Sequence, residues 1–266
     1  MRTHDLRLRI QPYSHSPPYQ GGFRGINPLG QRLMKPYQLV PIVSSSEPIV
    51  PIPNPEFDLV TPHPYKKLGA PYGEKSPFYV RSGVLEKLRA AQSKLRSIKP
   101  GWRIQIFDAY RPVVVQQFMV DHTLQEILIA KGLGNSATEV ERSQTLQEVY
   151  QFWAVPNLDP LMPPPHSTGA AVDVTLVDEL GTAVDMGSEI DEISARSFPD
   201  HFVGTMEGDG FDQNRQLLNF VMTCAGFARH YHEWWHFSWG DQLWAWMVMR
   251  QVAHEPKMTA KYGRVE

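Results

Sequence analysis

Cysteine is nearly absent from this chain: Cys224 stands alone among 266 residues. That excludes an intrachain disulfide framework, a Cys-rich zinc finger and a CxxC redox centre, and it fits a reducing compartment. No apolar run approaches the ~18 residues of a membrane span. The formal net charge is −2, so the global basic footprint of a nucleic-acid binder is missing. Neither a nucleic acid nor a membrane is expected as a partner. Residues 1–35 carry six basic side chains against Asp5 but lack the apolar core of a secretory signal. What the chain does hold is 23 Pro, 10 His and 7 Trp. With 42% hydrophobic and 20% charged residues it has an ordinary globular composition, long enough for a sizeable core.

Three stretches differ in texture. Residues 1–35 read as a flexible basic arm. Residues 36–64 hold eight prolines interleaved with Leu39, Val40, Ile42, Ile49, Ile52 and Phe57. Such spacing opposes helix and central strand alike, and the apolar residues predict an extended strap packed over a domain. Residues 65–266 form the body. Ser82 reads as the N-cap of a helix carrying Val84, Leu85, Leu88, Ala91, Leu95 and Ile98, closed by Pro100-Gly101. Residues 102–107 and 171–177 alternate as strands. Helices are expected over 113–130, over 214–225 with Cys224 facing inward, and over 242–252; residues 181–212 read as a long functional loop. The aromatic run 230–239 is strand-like. This order predicts a single α+β domain rather than a βαβ repeat.

Three segments carry chemistry: Asp108-Ala109-Tyr110-Arg111-Pro112, His166-Ser167-Thr168-Gly169-Ala170-Ala171-Val172-Asp173, and His232-Glu233-Trp234-Trp235-His236. The third alone matches HExxH, which on a helix would bind zinc through His232 and His236 with Glu233 as base and Glu255 as a possible third ligand. Its aromatic residues favour a strand instead, where the two histidines lie about 13 Å apart. The second segment places Asp173 on the strand face opposite Val172, Val174 and Leu176. His166, Asp173 and His236 together would make a zinc site with one open position, and Glu233 would be its general base. Taken singly, each residue has an ordinary structural reading: a loop histidine, a surface aspartate, core tryptophans, an Asp108–Arg111 salt bridge. Their joint occurrence is the signal.

Together the segments resemble the VanX-type D-alanyl-D-alanine dipeptidases, whose patterns D-x-Y-R-P, S-x-H-S-x-G-x-A-x-D and E-W-W-H stand here at 108–112, 164–173 and 233–236. The similarity spans roughly residues 57–250. Two positions depart: Pro164 occupies the place of the family's serine, and Thr168 that of its arginine. A tyrosine near the N-terminal part of the family's site is matched to no position here. The resemblance implies a zinc metallopeptidase with a small antiparallel sheet bearing the site, flanked by helices. It implies one zinc ion on His166, Asp173 and His236, Glu233 as catalytic base, Arg111 stabilising the oxyanion, and Asp191 holding the substrate ammonium. The implied substrate is a small dipeptide and the implied location the cytoplasm. The competing readings are a carboxypeptidase that trims peptidoglycan stem peptides, a non-catalytic zinc-binding domain, and an iron oxygenase, whose H-x-D/E spacing is missing.

Overall fold

The computed structural model describes residues 35–43, 45–251 and 258–265. The predicted basic arm therefore lies outside the described residues, apart from Lys35, as does Glu255.

The prolines of the strap confine it to short pieces: a 3-10 turn (Pro36–Leu39), strand β1 (Ile49–Pro51) and edge strand β2 (Asp58–Leu59). A single helical turn α1 (Pro64–Lys67) starts on a proline, where a missing N–H costs nothing. Strand β3 (Tyr79–Arg81) runs straight into helix α2 (Ser82–Ile98). Ser82 is not an N-cap but the first helical residue. The cap comes from the strap instead: the Glu47 carboxylate accepts from the Gly83 N–H at 3.0 Å and from the Ser82 hydroxyl at 3.3 Å. Partial burial pushes Glu47 up, yet its bonds to Lys261, Tyr262 and Gly83 bring its pKa down to about 2.

Beyond α2 come β4 (Arg103–Asp108), α3 (Val113–Ala130) and α4 (Glu139–Phe152). Helix α4 is opened by a capping box between Thr138 and Glu141. Strand β5 (Ala171–Val177) follows, then α5 (Asp209–Cys224), β6 (Ala228–Arg229), β7 (His236–Ser238) and α6 (Gln242–Met249). The main sheet has the order β2-β4-β5-β7-β6. It is antiparallel apart from the pairing of β2 with β4, which is parallel. The aromatic run 230–239 is thus no continuous strand, since residues 230–235 are irregular and separate β6 from β7.

Strand β5 is buried along its whole length because both faces are covered. Val172, Val174 and Leu176 join Leu88 and Leu95 of α2 and Leu218, Val221 and Met222 of α5 in the main core. A second core forms between Tyr65, Val115, Met119, Val149 and Trp153 of α1, α3 and α4. Helix α5 begins five residues earlier than the sequence pattern indicated, and Cys224 at its end is exposed rather than inward. Met222 takes the buried place.

The long loop between β5 and α5 is anchored by Arg215 of α5, which is almost fully buried. Its guanidinium donates to the carbonyls of Met186 (2.7 Å), Phe198 (3.0 Å) and Arg196 (2.9 Å) and to the Ser188 hydroxyl (3.0 Å). Each acceptor left unpaired costs ~1–3 kcal/mol. Arg215→Met is therefore expected to lose at least about 3 kcal/mol of stability, read as a lower urea midpoint. An unchanged midpoint would show that the loop holds without this anchor.

Candidate active site

Strand register assembles the site. Asp108 of β4 lies opposite Asp173 of β5, and Asp173 lies opposite His236 of β7. Directly opposed residues of an antiparallel pair have Cβ atoms only about 5 Å apart, so three side chains distant in sequence stand in one row across the sheet. A register shift between Ile106 and Asp108 sets Asp108 into that row. His166 arrives from a 3-10 turn (Pro165–Thr168) that ends on Gly169 at φ 70. Only glycine adopts that conformation readily, and a Cβ there would come within 3.0 Å of Ile49.

His166, Asp173 and His236 form the one group of three His, Cys, Asp or Glu residues among the described residues whose ligand atoms all lie within 4.8 Å of one another. Their outer contacts fix what they present. His166 Nδ1–H donates to the Ala109 carbonyl at 2.7 Å. The Ser238 hydroxyl donates to Asp241 at 3.0 Å, so it accepts from His236 Nε2–H at 3.3 Å. In the neutral tautomers these partners select, His166 Nε2 and His236 Nδ1 turn lone pairs toward each other at 3.2 Å. The Asp173 carboxylate sits 3.2 Å from His166 Nε2 and 3.0 Å from His236 Nδ1. Three buried electron-pair donors facing one point suit a metal cation, and outward N–H bonds of this kind are what orient ligating histidines. Burial alone would raise Asp173, but the charge and hydrogen bonds of the two imidazoles in their protonated forms hold its carboxyl well below the usual carboxylate range.

Arg111 follows β4 and is buried. It donates through Nε to Asp108 at 2.8 Å, and through its Nη atoms to Gln116 at 3.0 Å, Asp173 at 3.1 Å and the Tyr65 hydroxyl at 3.2 Å. Its guanidinium lies 5.0 Å from the ring centres of both Tyr65 and Trp153. Asp108 in turn accepts from Tyr72 at 3.2 Å and contacts His63 Nε2 at 3.1 Å. The Asp108–Arg111 pair is thus both the salt bridge of the plain reading and the mount that aims Arg111 along the row.

Glu233 lies beside the row, with a carboxylate oxygen 3.8 Å from His236 Nδ1 and 3.8 Å from His230 Nδ1. Burial, opposed by His236 and reinforced by Asp173 and Asp191, raises its pKa to about 7. Asp191 accepts from the Tyr65 hydroxyl at 2.7 Å. It is raised to about 7 by burial and by the charge of Asp173. Its φ of 65 is the one positive value at a non-glycine among the described residues, a conformation that Asp and Asn tolerate best.

All six predicted residues line one cavity of about 60 Å³, together with Lys35, Tyr37, Trp153, Trp235 and Leu243. His232 is not on that wall: its ring packs on Phe198 at 5.2 Å and on Tyr231 at 4.1 Å. Residues 232–236 are not helical, so HExxH lacks the i, i+4 face a zincin needs. Sequence reasoning missed Tyr65, His63 and His230. Each is a single residue outside any motif, and His63 and Tyr65 are joined to Asp108 and Asp191 only by the fold.

The peptidase M15 family, described as D-Ala-D-Ala dipeptidase, matches residues 58–257. A D-alanyl-D-alanine dipeptidase of Synechocystis is 49% identical over 242 residues, covering 88% of this chain and 98% of that protein. One of Escherichia coli is 44% identical over 73 residues, 27% of this chain and 36% of that protein. Among solved structures, a vancomycin resistance D,D-pentapeptidase VanY with Zn(II) aligns at a TM-score of 0.40 and 18% identity, covering 60% of this chain and 72% of that one.

Proposed function

On the premise that this chain belongs to the M15 family of D-Ala-D-Ala dipeptidases, we propose that it hydrolyses D-alanyl-D-alanine or a related free D-dipeptide at a zinc site made by His166, Asp173 and His236. The observation that carries the reading is the convergence of those three donors with Glu233, Arg111 and Asp191 on one small cavity. Zinc held there supplies a Lewis acid and a bound water acidified toward pH ~7.

The protein's own groups do the rest. Glu233, with a pKa of about 7, takes a proton from the attacking water and returns it to the leaving amine, a role worth roughly 10²–10⁴ in rate. Arg111 keeps a fixed positive charge where the carbonyl oxygen becomes an oxyanion. Its mounting on Asp108, Gln116 and Asp173 avoids reorganisation during the reaction. Asp191 receives the substrate ammonium, which offsets the burial and like charge that raise its pKa. A structural metal site needs neither Glu233 nor Arg111, which disfavours a non-catalytic zinc domain. Tyr37 of the strap, Trp153 after α4 and Leu243 of α6 line the cavity beside the metal ligands. The small volume of about 60 Å³ suits a dipeptide better than a stem peptide, so trimming carboxypeptidase activity is the second reading. We place the reaction in the cytoplasm on the strength of the family resemblance. No helix among the described residues is long and apolar enough to cross a membrane.

A panel of free L- and D-dipeptides and acylated stem peptides, assayed with added zinc, tests the function. D-Ala-D-Ala is expected to be cleaved at least ~10²-fold faster than its N-acylated forms, because a buried carboxylate would be left without its cation. Preferential cleavage of acylated stem peptides would replace this reading with the carboxypeptidase one. Asp191→Asn keeps the shape and tolerates the same φ. It is expected to weaken free dipeptides about 10-fold or more relative to N-acylated ones. Equal loss on both would make Asp191 a structural residue of its loop.

A further inference from the structure

His166 rides on a 3-10 turn of four residues that ends on Gly169. A turn that short has almost no ladder of its own, so its place depends on what its carbonyls bond to. Along residues 164–169 the first three carbonyls are satisfied from within the turn or from the site. Pro164 accepts from the Ser167 hydroxyl at 2.7 Å, Pro165 from that of Thr168 at 2.6 Å, and His166 from the Arg111 N–H at 3.2 Å. The last three are satisfied from elsewhere. Ser167 accepts from the Val265 N–H at 2.9 Å, Thr168 from Arg81 Nε at 2.9 Å, and Gly169 from the Arg81 N–H at 2.8 Å.

Arg81 is the last residue of β3 and is buried. Its guanidinium does more than reach Thr168. Nη1 donates to the Glu47 carbonyl of the strap at 2.6 Å, and Nη2 donates to the Gly263 carbonyl at 3.1 Å. The group also stands 5.5 Å from the ring centre of Tyr262. One side chain thus joins three segments distant in sequence: the strap, the His166 turn and the C-terminal stretch 258–265. A guanidinium holds its donors in a fixed planar fork, so the three carbonyls are spaced by it. Glu47, Gly263 and Val265 lie outside residues 58–257, the part of the chain that matches the family. The clamp on the turn is therefore built largely from the flanks of the domain. On the far side of the turn the His166 ring is oriented by its bond to the Ala109 carbonyl at 2.7 Å, which leaves the backbone beneath it to Arg81 and the C-terminal stretch.

We propose that Arg81 is a positioning residue for the metal centre, braced by the C-terminal stretch: by holding the carbonyls of Thr168 and Gly169 it sets where His166 Nε2 stands relative to Asp173 and His236. The inference rests on the reading of those three residues as zinc ligands. It gives the strap and the C-terminal stretch a role in metal binding although neither supplies a ligand. Partners that orient metal ligands from outside the first layer are worth about 10- to 100-fold in metal affinity.

The test measures the zinc dissociation constant of the full chain by competition with a chelator, and the visible spectrum of the cobalt-loaded protein, which reports ligand geometry. Arg81→Met is expected to bind zinc about 10-fold or more weakly and to shift the cobalt bands. Arg81→Lys is expected to stay weak, because one ammonium cannot span three carbonyls. Val265→Pro removes the N–H that meets Ser167 and leaves Arg81 whole; it is expected to weaken zinc in the same direction, and it decides the matter alone if Arg81→Met does not fold. Thr138→Ala destabilises α4 by removing its cap, away from the turn, and is expected to keep wild-type zinc affinity. Wild-type affinity and spectrum in Arg81→Met, or wild-type affinity in Val265→Pro where Arg81→Met does not fold, overturns the proposal and leaves the zinc site standing. An equal loss of zinc in Thr138→Ala also overturns it, since the effect would then follow overall stability. A wild type that binds no zinc overturns the site reading as well.

Discussion

Glu233→Ala is expected to be purified folded and with its zinc, and to turn over D-Ala-D-Ala at least ~100-fold more slowly. The expectation follows from where Glu233 stands. It lies outside the cluster of three ligand atoms but beside it, 3.8 Å from His236 Nδ1. Burial sets its pKa near 7, which is where a group can both take and give a proton at neutral pH. Truncation therefore removes the proton carrier and leaves the ligands in place. The loss should fall on kcat, since a proton in flight is a feature of the transition state and not of the bound dipeptide. Its side chain is one of several acids crowded into the site, so removing it is not expected to lower stability. Near-normal turnover would remove Glu233 from the mechanism.

The elements read correctly from sequence were those whose signals are local. Helix α3 has its start fixed by Pro112, and β5 alternates apolar residues between His166 and the following turn. Helix α4 carries a local signal of the same kind in the capping pair Thr138-x-x-Glu141. The start of helix α2 is not legible locally, because its cap, Glu47, sits 35 residues away from Ser82 in a strap with no pattern of its own. A helix phase set by Leu218 and Val221 alone turns Cys224 inward, whereas the observed helix buries Met222 instead. The site divides in the same way. The ligand types and Glu233 were visible because they sit in short motifs. The row of Asp108, Asp173 and His236 is a property of strand register, which no spacing along the chain encodes. Tyr65, which bonds Asp191 and Arg111, and Lys35 reach the cavity from residues outside those motifs. For the same reason the HExxH match was ambiguous: residues 230–235 are an irregular crossing between two strands, and aromatic content alone cannot separate that from a strand.

The claim on which everything else depends is that His166, Asp173 and His236 hold the metal and His232 does not. His166 and His236 have their outward nitrogens bonded to Ala109 and Ser238, while the His232 ring packs among Phe198 and Tyr231 with its pKa lowered to about 4 by burial. Two remaining ligands cannot enclose a tetrahedral ion, so losing one of three should cost most of the affinity. The measurement is zinc per chain, by elemental analysis, in four purified variants. His166→Ala and Asp173→Ala are expected to be nearly zinc-free and inactive, whereas His232→Ala and Glu255→Ala are expected to keep about one zinc each. Stoichiometric zinc in His166→Ala together with none in His232→Ala would contradict the site and the reaction built on it.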